Sequence, residues 1–160
     1  LRELIGAAFE TTFAKVNELF KEYFTGFFGG GEASLQLTDG DGLTAGVDIV
    51  ARPPGKRVQN LSMLSGGERA LTAISLLFAL LSNNPSPICV LDEVDAALDE
   101  ANVTRFAETL KNLAARTQFI VVTHNRRTIE KADAIYGVSM ADDSTSRILS
   151  LKLSDVPQRN

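Results

Sequence analysis

The sequence predicts an α/β fold with a parallel βαβ unit at its centre. Three observations carry that expectation. Ile88–Leu91 and Phe119–Val122 are short apolar runs of strand length, the pattern of strands buried on both faces. Between them Val103, Phe106, Leu110 and Leu113 recur at steps of three or four, which is a helix with one apolar face. Strand, helix and strand in that order make a parallel pair joined by a crossover.

The elements follow in order. Phe9, Phe13, Val16, Phe20, Phe24 and Phe27 form a stripe at helical spacing, so a helix is expected from Leu1 to about Phe28, stopped by Gly29-Gly30-Gly31. It reads as a core-packing helix or as the end of a coiled coil. Ala33–Thr38 and Thr44–Ala51 read as strands. Asp39-Gly40-Asp41-Gly42 between them is a hairpin signal, because Asp-Gly pairs tolerate the positive φ of tight turns. Pro53-Pro54-Gly55 ends the second strand. A helix is predicted over Gly67–Leu81, with Leu71, Ile74, Leu77, Phe78 and Leu81 on one face. Ser82-Asn83-Asn84-Pro85 breaks it. The crossover helix is expected over Glu100–Ala115 and a short helix near Thr128–Ala132. Ile135–Met140 and Arg147–Leu153 close the chain as a strand pair across the turn Ala141–Ser146.

Composition bounds the function. The 160 residues are 44% hydrophobic and 22% charged, which fits one globular domain over 1–160. Sixteen Lys and Arg against twenty Asp and Glu leave a net charge of -4, which argues against nucleic-acid binding as the sole business of this chain. The single cysteine, Cys89, fits a reducing compartment. The longest apolar stretch is far too short to span a bilayer, and the opening LRELIGAAFE lacks a secretory signal, so a cytoplasmic protein with no membrane partner is expected. The chain opens on Leu1 rather than Met, inside a helical pattern, and is expected to be a piece of something longer.

Three places carry chemistry. Ser65 followed by Glu68 is a capping box, which needs no ligand. Gly66 and Gly67 between them leave a helix N-terminus with bare N–H groups, which also suits a phosphate. Ile88-Cys89-Val90-Leu91 then delivers Asp92 and Glu93 to the C-terminal end of a strand, where open parallel sheets bind ligands. Asp92 could hold Mg²⁺ and Glu93 could polarise a water, or both are simply solvated acids. His124, the only histidine, ends the neighbouring strand. It is a hydrogen-bonded strand-end histidine or a donor beside a phosphate, and parallel pairing brings its tip to that of Asp92-Glu93.

The order and spacing of these pieces resemble the C-terminal half of an ABC-type nucleotide-binding domain. Leu64–Ile74, containing Ser65-Gly66-Gly67-Glu68-Arg69, and Val90–Val103, containing Asp92-Glu93-Val94-Asp95-Ala96-Ala97-Leu98-Asp99, are similar to SMC (structural maintenance of chromosomes) proteins. The likeness extends from the Phe-rich first helix to Tyr136–Met140, and His124 points to a prokaryotic member. ABC transporters usually carry Gln in place of Glu68 and Pro in place of Val94.

The resemblance implies a fold: the C-terminal lobe of an ABC-type ATPase head, with residues 1–28 at a coiled-coil exit and 29–160 as the lobe. It also implies roles. Glu93 would be the catalytic base, His124 the switch histidine, and Asp92 a holder of Mg²⁺. Ser65, Gly66 and Gly67 would contact the γ-phosphate of ATP on a second head, with Glu68 and Arg69 shaping the loop. Asp99 would belong to a loop that crosses to that head. Implied partners are the N-terminal lobe of the same head, a second SMC head, the C-terminal winged-helix domain of a kleisin, and DNA through the whole complex, with chromosome condensation and segregation at the nucleoid as the task.

One part of the family pattern is absent from the sequence. A phosphate-binding loop G-x-x-x-x-G-K-[ST] occurs nowhere: Gly55-Lys56 is followed by Arg57, with Val50 where the first glycine belongs. The expectation is a half-head, part of an ATPase and inactive alone, with apolar surface left for a partner. The alternatives are a head lobe of a double-strand-break repair ATPase, which usually departs from the pattern at 95–99, and a degenerate interaction module, against which Ser65, Asp92, Glu93 and His124 all stand intact. Lys56, Arg57, Arg126 and Arg127 are the evident basic pairs and read as solvated surface.

Overall fold

The computed structural model describes residues 2–38, 45–141 and 145–152. The chain runs α1 (Arg2–Phe28), β1 (Glu32–Leu37), β2 (Val47–Arg52), β3 (Gln59–Asn60), a 3-10 turn (Leu61–Met63), α2 (Gly66–Asn83), β4 (Ile88–Asp92), α3 (Glu100–Leu113), β5 (Gln118–Val122), α4 (Arg126–Ile129), β6 (Ala134–Met140) and β7 (Ser146–Lys152). β4 and β5 pair in parallel, with α3 as their crossover. β1-β2-β3 and β6-β7 are antiparallel. The α/β class, the parallel βαβ core, the flanking antiparallel strands and the leading helix are all as the sequence predicts.

Two apolar clusters organise the packing. Val16, Phe20 and Phe24 of α1 meet Ala33, Leu35 and Ala51 of the β1-β2 sheet, with Leu64 and Ala79. Phe27 at the end of α1 turns toward Leu71, Ile74 and Phe78 of α2, Leu91 of β4, and Phe106 and Leu110 of α3. Phe78 and Phe106 stack with ring centroids 5.7 Å apart, and both are fully buried. The predicted inward faces of α2 and α3 are therefore the observed ones. Arg105 of α3 donates from Nη1 to the Phe27 carbonyl (2.6 Å), placing a cation at the negative end of α1.

Three consecutive glycines turn the chain out of α1, each with positive φ. At Gly31 (φ 80°) a Cβ would lie 2.4 Å from the Arg52 carbonyl oxygen, so the approach of β1 to β2 admits no side chain there.

The structure differs from the sequence expectation in four ways. The strands β4 and β5 are not buried on both faces. Cys89, Leu91, Phe119 and Val121 pack under the helices. On the other face Ile88, Val90, Ile120 and Val122 are 54%, 64%, 51% and 51% exposed. A continuous apolar run records that both faces want cover, and this chain supplies cover for one. Second, the short helix begins at Arg126 rather than near Thr128, because Asn125 accepts from the Arg127 N–H (3.1 Å) and caps it there. Third, β3 and the 3-10 turn carry no apolar alternation and were not predicted. Fourth, the basic residues Lys56, Arg57, Arg126 and Arg127 are exposed as expected, and three of them make ion pairs the sequence did not show: Lys56 with Glu68, Arg126 with Glu130 and Arg127 with Glu100. The Asp39–Gly42 link and residues 142–144 of the last turn lie outside the described residues, as do Leu1, Thr44 and Leu153.

Candidate functional site

Asp92 is the last residue of β4 and pairs with Val122, the last of β5, so both strands end level. The chain then turns sharply. Glu93 donates its N–H to the Val122 carbonyl (2.9 Å) and has φ 46°, the only positive φ at a non-glycine among the described residues. A side chain in this left-handed region costs of order 1–3 kcal/mol and persists where surrounding contacts hold it. Here they aim Glu93 at the tip of β5. Its Oε1 lies 3.7 Å from Nδ1 of His124, and the two side chains are 59% and 78% exposed. That separation is too long for a hydrogen bond. An acceptor and a potential donor thus face solvent side by side, a pair able to orient a small polar molecule between them.

The turn is anchored by a residue the sequence reading left without a role. Asp95 is 2% exposed. It accepts from Thr123 Oγ1 (2.8 Å to Oδ2 and 3.0 Å to Oδ1) and from Thr128 Oγ1 (2.5 Å to Oδ2). Thr123 Oγ1 in turn accepts the Asn125 N–H (2.9 Å). The loop after β4 is therefore tied to both sides of His124.

The second cluster opens α2. Ser65 is its N-cap. Glu68 Oε2 accepts from the Ser65 N–H (3.0 Å) and from Ser65 Oγ (2.8 Å), while the Glu68 N–H approaches Ser65 Oγ at 3.4 Å, so the predicted capping box is formed. Lys56 adds a contact the sequence did not reveal: its Nζ reaches Glu68 at 2.8 and 3.0 Å. Lys56 holds the Glu68 carboxyl below its ordinary value, with the Ser65 hydrogen bonds helping and partial burial opposing. Arg69 Nη2 donates to the Leu64 carbonyl (3.2 Å), closing the loop from the other side.

Gly66 is open on the side where a Cβ would stand, as a bare N-terminus requires. Gly67 has a packing reason as well: a Cβ there would lie 3.1 Å from the Ala97 carbonyl oxygen. The start of α2 thus abuts the loop that carries Asp95. Asp99 ends that loop as N-cap of α3, accepting from the Asn102 N–H (2.8 Å) and from Asn102 Nδ2 (3.0 Å).

The structure therefore groups Asp92, Glu93 and His124 at the strand tips, and Ser65, Gly66, Gly67 and Glu68 at the start of α2. The segment 94–99 touches both groups. No described hydrogen bond or ion pair joins them directly. Lys56, Asp95, Thr123 and Thr128 are what sequence reasoning missed. An acid three residues past one strand tip, with threonines one and six residues past the facing tip, is a signal only once the two strands are known to be neighbours. Among the described residues no group of three or more His, Cys, Asp or Glu could hold a metal ion, and no helix is long and apolar enough to cross a membrane.

Known proteins resemble this chain closely. Residues 10–147 match the family described as RecF/RecN/SMC N terminal domain. The chain is 54% identical over 151 residues, 94% of its length, to the chromosome partition protein Smc of Bacillus subtilis (strain 168), of which it spans 13%. Among solved structures, the Smc head domain of Pyrococcus furiosus with an extended coiled coil, bound to the C-terminal domain of ScpA, aligns with a TM-score of 0.88 at 40% identity, over 93% of this chain and 37% of that one. A chain from a study of ATP-driven dimerisation and DNA-stimulated activation of SMC ATPases aligns with a TM-score of 0.82 at 39% identity, over 93% of this chain and 91% of that one.

Proposed function

The chain belongs to the RecF/RecN/SMC family, and from that premise we propose that it is the C-terminal lobe of the ATP-binding head of an SMC protein that condenses and segregates chromosomes. In this reading residues 1–28 lead from a coiled coil and 29–160 form the lobe, which contributes half of two composite sites. At its own nucleotide Glu93 accepts the proton of the attacking water and His124 donates a hydrogen bond toward the γ-phosphate. Asp92 is the one carboxylate offered to Mg²⁺. That donor set fits, because Mg²⁺ usually keeps several waters and takes one or two carboxylates besides phosphate oxygens. At the nucleotide of a second head, Ser65 Oγ and the N–H groups of Gly66 and Gly67 meet the γ-phosphate, with Glu68 and Arg69 holding the loop and Asp99 reaching across.

The observation that carries the reading is the juxtaposition of Glu93 and His124, 3.7 Å apart at level strand tips directly after Asp92. The bare face of β4 and β5 supports the half-head, because four exposed aliphatic residues on one sheet face fit a covering lobe that brings the missing phosphate-binding loop. The kleisin winged-helix domain, the second head and DNA through the whole complex are partners on the same reading, at the nucleoid. The exposed basic residues Lys56, Arg126 and Arg127 each stand beside an acid of this chain, and no DNA contact is assigned to them.

The test is reconstitution. The purified chain alone is expected to hydrolyse no ATP, and to gain hydrolysis when mixed with the complementary lobe carrying the phosphate-binding loop. Turnover by the chain alone that Glu93→Gln abolishes would remove the half-head reading. A mixture that binds but never hydrolyses would favour a pure interaction module.

A further inference from the structure

Among the described residues Asp95 is the most buried charged one, at 2% exposure, and no described ion pair involves it. A carboxylate removed from water is costly unless its oxygens are hydrogen-bonded. Both of its oxygens are, by the hydroxyls of Thr123 and Thr128. These two threonines flank His124: Thr123 immediately precedes it, and Thr128 lies in α4 just beyond. The Asn125 N–H, donated to Thr123 Oγ1, closes the ring around the histidine from its other neighbour. The same carboxylate stands two residues after Glu93, whose left-handed backbone must be held by its surroundings.

We propose that Asp95 and Thr123 are positioning residues for the Glu93–His124 pair. The Asp95 carboxylate locks the loop after β4 to the loop after β5, and so fixes the separation and facing of the two functional side chains without touching a ligand. Neither Glu93 nor His124 can do this for itself, since at 3.7 Å they do not bond to each other and both are largely exposed. The inference rests on the reading of these two residues as a hydrolytic pair.

The informative substitution is Thr123→Val, which keeps the shape and removes both the donor to Asp95 and the acceptor for Asn125. Thr123→Ser keeps both. In the chain alone, Thr123→Val is expected to speed hydrogen exchange at the Asn125 amide and to increase the mobility of the His124 ring seen by NMR relaxation, with Thr123→Ser like the parent. In the mixture with the complementary lobe, Thr123→Val is expected to lower kcat about tenfold or more while KM for ATP stays within about twofold, since misplacing a catalytic group by a fraction of an ångström acts on the chemical step. Thr123→Ser is expected to restore kcat, and Thr123→Val to cost less in a His124→Ala background than in the parent, since only the placing of Glu93 is then left to lose. Parent kcat in Thr123→Val, or equal losses in the Val and Ser variants, would overturn the proposal. Should Thr123→Val not fold, Thr128→Val, which removes the other donor to Asp95 and leaves the Asn125 N–H bonded to Thr123, replaces it with the same expectations for the His124 ring and for kcat and KM. Should the parent mixture hydrolyse no ATP, the functional reading fails separately. The positioning role is then decided by the His124 ring alone, whose unchanged order in Thr123→Val would overturn it.

Discussion

Glu93 Oε1 stands 3.7 Å from His124 Nδ1 across the level tips of two parallel strands, with Asp92 at the end of the same strand as Glu93. The pair differs in kind: the carboxylate only accepts, and the imidazole can donate. Glu93→Gln keeps the shape and removes the basicity. It is expected to lower kcat of the reconstituted head by about 100-fold or more, the contribution typical of a general base, with nucleotide binding retained. His124→Ala is expected to lower kcat less, because it removes a donor and not the base. Single-turnover hydrolysis with a parallel nucleotide-binding measurement reads both. Loss of binding in Glu93→Gln would assign the residue to holding the ligand instead.

The Lys56–Glu68 contact makes the start of α2 sensitive to acid. Glu68 is held below its ordinary value in the folded chain, chiefly by Lys56. Its folded pKa is therefore lower than its unfolded one. The stabilisation is fully present above the ordinary glutamate range and is lost as pH falls through the folded pKa. Lys56 is about half exposed and Glu68 mostly covered, so the pair contributes about 0.5–1 kcal/mol. Urea unfolding of the parent between neutral pH and about pH 3 is expected to show this loss. Glu68→Gln is expected to flatten that part of the profile, and Lys56→Met to shrink it. An unchanged profile in Glu68→Gln would mean that other carboxylates carry the acid dependence.

Much of this was legible in the sequence because the deciding signals are local. The stripe from Phe9 to Phe27 marks a helix whichever side it packs on, and the capping box at Ser65 and Glu68 is a four-residue pattern. The level strand tips follow from two apolar runs of equal length joined by one crossover helix. What stayed hidden depends on where distant pieces meet. Thr123 and Asp95 are 28 residues apart, and their hydrogen bond exists only because β4 and β5 are neighbours. Lys56 reads as a solvated charge until the turn after β2 is seen to end beside α2. The apolar run of β4 speaks for cover on both faces and cannot say whether that cover comes from the same chain.

The stack of Phe78 on Phe106 joins α2 to α3 above the parallel strands, and both rings are fully buried. Phe106→Ala deletes one side of that stack and leaves a cavity between the helix that begins at Ser65 and the helix that Asp99 caps. The expected loss is about 3–5 kcal/mol of stability, seen as a lower urea midpoint. Phe106→Leu is expected to cost appreciably less. Equal losses for Ala and Leu would point to aromatic stacking, rather than filled volume, as the main contribution.

The open face of the parallel pair gives a test of what covers it. Val90 and Ile120 are register partners there, 64% and 51% exposed. A charge at either position remains solvated in the chain alone, so Ile120→Glu is expected to change its stability by no more than about 0.5–1 kcal/mol, most of it the lower strand preference of glutamate. Against a covering lobe the same charge would be buried without a partner, at a cost of several kcal/mol. Ile120→Glu is therefore expected to leave folding intact, to weaken association with the complementary lobe by about 100-fold or more, and to abolish the hydrolysis that association confers. Thr104→Glu, a control on the helical side, is expected to leave association unchanged. Normal association of Ile120→Glu would place the covering lobe elsewhere and leave the bare sheet face for a different partner.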